Sequence, residues 1–198
     1  TVIWPQRYGH GNTATDSHSS LPTISGNREE LEALELAPFK SAVENGVKMV
    51  MVGHIALPGL DSNDLPASHS YKISTEILRD EWGFDGIIIT DGMEMGGLTE
   101  SAWAGESAVR AVEAGADILL LPMDVQQTIE AVYRAVNSGR ISENRINQSV
   151  ARIWKMKAET GLLSGYIQAH FSELEAIDKR LKETMDITSI DMVEIAGD

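Results

Sequence analysis

The 198-residue chain predicts an α/β fold built on parallel strands, and three observations carry that expectation. Short apolar runs alternate with amphipathic stretches about four times along the chain. The apolar runs lack the in-out alternation of a strand with one wet face, so both faces are covered, in a sheet flanked by helices or closed into a barrel. Polar or charged residues follow the ends of several runs, and in parallel α/β folds that edge is where sites form.

The elements follow in order. Thr1 to Trp4 opens as a short strand, and Pro5 to Asn27 is a long polar loop, a length that goes with function or disorder. Glu29 to Glu44 predicts one helix, with Leu31, Leu34, Phe39 and Val43 near one face and Asn45-Gly46 as its stop. Val47 to Val52 is the next strand, followed by His54 and by a second loop, Leu57 to His69, rich in Pro, Asp, Asn and Ser. Ser70 predicts the N-cap of a helix carrying Ile73, Ile77 and Leu78 that stops at Gly83. Gly86 to Thr90 is a strand ending on Asp91, and a helix from about Gly105 to Ala114 ends at Gly115. Asp117 to Leu121 is the last strand, and Ile129, Val132, Tyr133 and Val136 mark the helix after it. Ile146, Val150 and Ile153 mark a further helix closed by Gly161, and Leu174, Ile177 and Leu181 mark an amphipathic one near the end. The expected organisation is a domain over 1–163 and a tail over 164–198.

Composition excludes several function classes. Hydrophobic residues are 42% and charged residues 23%, which is globular rather than disordered. The net charge of -14 argues against nucleic acid and against an anionic membrane surface, both of which need basic patches. Cysteine is absent, so no thiolate nucleophile and no disulfide is available, and the compartment is not legible from redox chemistry. No signal peptide is visible at Thr1, and the apolar runs are too short to span a bilayer. A strand-like Val2-Ile3-Trp4 with no initiator Met reads as a cut edge or an unusual start.

Two places carry candidate chemistry. Asp91 ends a buried strand, where a carboxylate is costly unless hydrogen bonds, solvent or a ligand meet it; a helix cap or loop turn is the alternative reading. Asp16 and His18 stand two apart in a loop of Gly, Ser and Thr, so in an extended segment both side chains point the same way. A carboxylate on one ring nitrogen fixes the tautomer and raises the basicity of the other. Ordinary loop composition is the competing account of that dyad. His10 lies between Gly9 and Gly11, where the backbone can approach a ligand closely. His54 lines a site or is a satisfied residue at the core edge, and His69 and His170 read as surface residues. Asp16, His18 and His54 match no familiar metal-ligand spacing, so no metal and no cofactor are expected.

These segments together resemble a known family. Gly9-His10-Gly11-Asn12-Thr13-Ala14-Thr15-Asp16-Ser17-His18-Ser19-Ser20-Leu21-Pro22 closely resembles the catalytic loop of family-three glycoside hydrolases, in the β-N-acetylhexosaminidase branch whose loop carries an Asp-x-His dyad. The resemblance continues through Val50-Met51-Val52-Gly53-His54-Ile55 and Pro66-Ala67-Ser68-His69-Ser70. It then runs through Leu78 to Asp91, Ala114-Gly115-Ala116-Asp117 and Ile153-Trp154-Lys155-Met156-Lys157, covering roughly Gly9 to Leu163 in order. It implies the second half of a TIM-type (β/α)8 barrel, with four of eight units present; the missing half motivates the expectation of a homodimer that completes the barrel. It implies Asp91 as nucleophile, His18 as acid/base paired with Asp16, and a retaining reaction through a covalent glycosyl-enzyme. His54, His10 and Arg7 are the expected substrate-binding residues, with a carbohydrate as the only partner besides a second copy. The family's Lys-His-Phe-Pro is replaced by Pro5-Gln6-Arg7-Tyr8, with Arg7 the cation at hand. A β-glucosidase specificity and a non-catalytic assembly module remain the alternatives.

Overall fold

The computed structural model of the protein describes residues 2–4, 21–63, 65–94 and 104–163. The chain divides into two compact units, Thr1–Ile141 and Ser142–Asp198. The tail expected over 164–198 lies outside the described residues.

A four-stranded parallel sheet forms the first unit, in the order β1 (Val2–Trp4), β2 (Met49–Val52), β3 (Ile87–Gly92) and β4 (Ile118–Leu120). Parallel neighbours need a crossover between each pair. The crossovers are α1 (Arg28–Ala33) with α2 (Ala37–Glu44), then α3 (Lys72–Glu81), then α4 (Ala104–Ala114); α5 (Val125–Asn137) follows β4. Val50 stands beside Val2 on one side and Ile88 on the other, and every residue of β3 is buried. The expected parallel (β/α) architecture is therefore present as a partial barrel. The core lies between β2–β3 and their helices, where Ile24, Leu31, Leu36, Val50, Val52, Ile73, Ile77, Leu78 and Ile88 are almost fully buried. Each such side chain contributes about 1.5–3 kcal/mol of transfer free energy.

The expected helix over Glu29 to Glu44 is two helices. Within one continuous helix the Pro38 ring would strike the carbonyl of Leu34 and leave it without a donor. The chain breaks there, α1 ends at Ala33, and Pro38 sits in the first turn of α2. The break turns Leu34 out to 73% exposure and brings Leu36 into the core in its place. Asn27 caps α1 through a reciprocal capping box with Glu30. Ser70 does what the sequence predicts: its Oγ accepts from the Ile73 N–H (3.1 Å) while its hydroxyl donates to the buried Asp61 (2.5 Å). The helix it starts, α3, is wound wide as a π-helix, and the Trp82 N–H reaches back five residues to the Ile77 carbonyl. At the end of α4, Gly115 adopts φ +125°, and a Cβ there would lie 2.5 Å from Thr75 Oγ1 on α3, so only glycine lets the two helices approach.

On α5, Ile129 and Tyr133 share the stripe the spacing predicts and are 58% and 65% exposed. One expectation about burial, that for His69, fails. His69, expected at the surface, is buried in a short 3₁₀ turn, Ala67–His69, on which α4 packs. In the second unit, α6 (Glu143–Glu159) is capped by Ser142, whose Oγ accepts from the Arg145 N–H (3.1 Å), and the chain turns at Gly161 with φ +73°.

Candidate active site

The site is built where β3 loses register with β4. Ile89 pairs with Ile118 and Gly92 with Leu120, so Thr90 and Asp91 together oppose Leu119 alone. This is a β-bulge, and a bulge re-aims a side chain at a sheet end. Thr90 repairs the ladder with its side chain: Oγ1 accepts the Leu120 N–H at 3.0 Å. Asp91 is then presented at the C-terminal end of a strand buried on both faces, itself nearly buried. Its Oδ1 accepts the Gly92 N–H at 2.8 Å, and Oδ2 meets no donor among the described residues.

His54 follows β2, the neighbouring strand, and is 1% exposed. Its Nδ1 is 2.7 Å from Ser68 Oγ and its Nε2 is 3.1 Å from the carbonyl oxygen of Gly92. Burial holds its pKa below the ordinary histidine value, against the attraction of the Asp91 carboxylate and the pull of the Gly92 and Asp91 backbone. His54 is thus a neutral ring beside the strand-end carboxylate, with both nitrogens committed to the protein.

His69 is one residue beyond Ser68. Burial, with smaller contributions from His54 and Arg110, pushes its pKa down to about 4. The Ser107 backbone acts weakly on the ring, yet neither nitrogen makes a hydrogen bond among the described residues. A buried ring with no partner is uncommon enough to mark a place.

Asp16, His18, His10 and Arg7 lie outside the described residues. The segment that leaves their loop is anchored: the Ala56 N–H donates to the Pro22 carbonyl (2.9 Å) and the Ile24 N–H to the Ala56 carbonyl (3.0 Å). The foot of the loop is therefore fixed two residues beyond His54. The structure brings Asp91 and His54 together and adds Ser68 and His69, which sequence reading gave no role. The signal for them was the Pro66-Ala67-Ser68-His69-Ser70 block, too polar for an ordinary turn into a helix. Among the described residues no three His, Asp or Glu side chains group as a metal site, and no helix is long and apolar enough to cross a membrane.

The family model of the glycosyl hydrolase family 3 N-terminal domain matches residues 8–156. β-Hexosaminidase A of Pseudoalteromonas piscicida is 27% identical over 96% of this chain and 35% of its own length. A β-N-acetylglucosaminidase/β-glucosidase of Cellulomonas fimi is 28% identical over 79% of this chain and 29% of its own length. The solved family 3 β-N-acetylglucosaminidase of Paenibacillus sp. superposes with a TM-score of 0.74 and 42% identity, over 78% of this chain and 30% of that one. The chain spans about a third of the length of these relatives.

Proposed function

The chain belongs to glycosyl hydrolase family 3, and from that premise we propose that it carries the catalytic half of a retaining β-N-acetylhexosaminidase barrel, acting on terminal β-linked N-acetylglucosamine. The observation that carries the proposal is Asp91, a carboxylate set on a bulge at the C-terminal end of a buried parallel strand, with one oxygen held by a backbone N–H. Asp91 attacks the anomeric carbon through Oδ2 while His18, steered by Asp16, gives its proton to the leaving glycosidic oxygen. His18, now neutral, takes a proton from water, and the hydroxide formed displaces Asp91 from the sugar, returning both residues to their starting states. The anchored loop supports this placement. His18 is four residues before Pro22, so its Cα is within about 14 Å of the Pro22 anchor beside the site. His10 and Arg7 join the sugar-binding surface from the same loop.

Release of 4-nitrophenol from its N-acetyl-β-glucosaminide by the purified chain tests the reading. Turnover that disappears in Asp91→Asn and in His18→Ala supports it; turnover indifferent to Asp91 sinks it. A second reading, β-glucosidase specificity, draws on the dual name of the Cellulomonas fimi relative. Faster cleavage of the glucoside than of the N-acetylglucosaminide would select it.

A further inference from the structure

Asp91 does not hold its own geometry. Its Oδ1 is fixed by the Gly92 N–H, and the Gly92 carbonyl oxygen lies 3.1 Å from His54 Nε2. A carbonyl only accepts, so the ring proton sits on Nε2. A neutral imidazole has one N–H, which leaves Nδ1 to accept the Ser68 hydroxyl at 2.7 Å. Only an imidazolium would reverse the Ser68 bond, and burial disfavours that form.

We infer that Ser68 and His54 form a tautomer lock on the strand end that carries Asp91. Ser68 donates to Nδ1 and keeps the proton at Nε2; Nε2–H holds the Gly92 carbonyl, and the same residue's N–H holds the Asp91 carboxylate. The inference rests on the reading of Asp91 as nucleophile. It makes His54 a positioning residue, because neither ring nitrogen is left for a sugar hydroxyl. The bulge explains why the lock sits here. Losing register at Thr90–Asp91 frees the aim of the carboxylate, and side chains restore the restraint on its two flanks, Thr90 toward β4 and His54 toward β2. In the opposite tautomer a bare Nε2 lone pair would face the Gly92 carbonyl oxygen, and the two would repel.

Long-range proton–nitrogen NMR spectra of the whole chain read the histidine tautomer directly. The expected result is a His54 ring protonated at Nε2 alone, taking its second proton at a lower pH than an ordinary histidine does. Ser68→Ala is expected to mix the two tautomers and Ser68→Thr, which keeps the hydroxyl, to restore one. In turnover of the N-acetylglucosaminide, Ser68→Ala is expected to lower kcat on the order of tenfold, as loss of a histidine's orienting partner does. KM stays within about twofold, because the effect is on the reacting geometry, and Ser68→Thr recovers kcat. A proton on Nδ1 in the wild type overturns the inference, as does a Ser68→Ala protein with unchanged tautomer and unchanged kcat. A wild type with no turnover removes the hydrolase reading alone, and the NMR spectra then decide the lock. Should Ser68→Ala fail to fold, Ser68→Cys, a weaker donor of similar size, takes its place with the same readout.

Discussion

The two ends of the central strands carry buried polar clusters of opposite character. At the N-terminal end, Arg79 on α3 donates to Asp117 (2.5 Å) and to the carbonyls of Phe84 (3.1 Å) and Gly86 (3.0 Å), and Asp117 also accepts the Ile88 N–H (2.9 Å). The guanidinium lies over the Phe84 ring as well, 5.8 Å from its centroid. That cluster bolts the turn before β3 to the start of β4 with its charges matched. At the C-terminal end, Asp91 keeps an oxygen without a donor and His69 keeps two ring nitrogens without partners, among the described residues. A fully satisfied network rigidifies a fold, whereas polar atoms left open in a low-dielectric place are costly and persist where a ligand or a proton is to be met. In parallel α/β barrels the first end serves stability and the second chemistry.

The same substitution made at both ends separates these roles. Asp91→Asn is expected to leave the unfolding free energy within about 1 kcal/mol while cutting turnover by about 10⁴-fold or more, the scale for removal of a member of the reacting set. Asp117→Asn is expected to do the reverse. It leaves a guanidinium whose side chain is 10% exposed without its counter-charge, at a cost of about 3–5 kcal/mol in urea unfolding. Equal destabilisation by the two substitutions would erase the distinction between the ends.

His69 sharpens the comparison through pH. Its folded-state pKa is about 4, while the unfolded ring takes its proton near the ordinary 6.5. Between those values the unfolded chain binds more protons than the folded one, so stability rises with pH across the window and is lost as pH falls through it. The loss from this ring totals about 3 kcal/mol below pH 4. His54, also lowered by burial, adds in the same direction. Glu106, drawn down to about 2 chiefly by Arg140, loses its contribution only at more acid pH, from 4.5 downward. Denaturant titrations of wild type and His69→Leu between pH 7 and about 3.5 check this: the substituted protein should show the shallower acid limb, and parallel curves would refute the role of the ring.

Much of this contrast was legible in the sequence, and the reasons for the rest are physical. Strand ends are readable because fully apolar runs stop abruptly, which is how Asp91 and His54 stand out. The single helix over Glu29 to Glu44 failed at Pro38, whose ring acts four residues back, where periodicity does not look. The α5 stripe shows that spacing tells which residues share a face, not what covers it: Ile129 and Tyr133 are in phase and exposed. Ser68 and His69 were hidden because their meaning depends on a 3₁₀ turn and on a ring fourteen residues away in sequence. Thr90 was hidden for a related reason, since a bulge is a relation between two strands. Thr90→Val keeps shape and removes the acceptor for the Leu120 N–H, with an expected cost of about 1–2 kcal/mol in thermal or urea unfolding. Thr90→Ser, which keeps the oxygen, should recover most of it.

The smallest effect belongs to a third cluster, which has the charge density of the Arg79–Asp117 bolt without its burial. Arg140 donates to Glu106 (2.8 and 2.9 Å) and Glu113 (2.7 and 2.8 Å), joining the turn after α5 to α4. The geometry is as good as at the bolt, yet the Arg140 side chain is 40% exposed. Water screens the attraction, and the cost of ordering a long side chain offsets much of what remains, so Arg140→Ala should cost no more than about 1 kcal/mol. Salt decides between burial and geometry as the source of strength. In about 1 M salt the screening length shrinks to about 3 Å. The Arg140→Ala difference should then fade toward zero while the Asp117→Asn difference persists, because ions do not reach a carboxylate with no exposed surface. An Arg140 contribution that survives high salt would show that two well-aligned bidentate pairs suffice without burial.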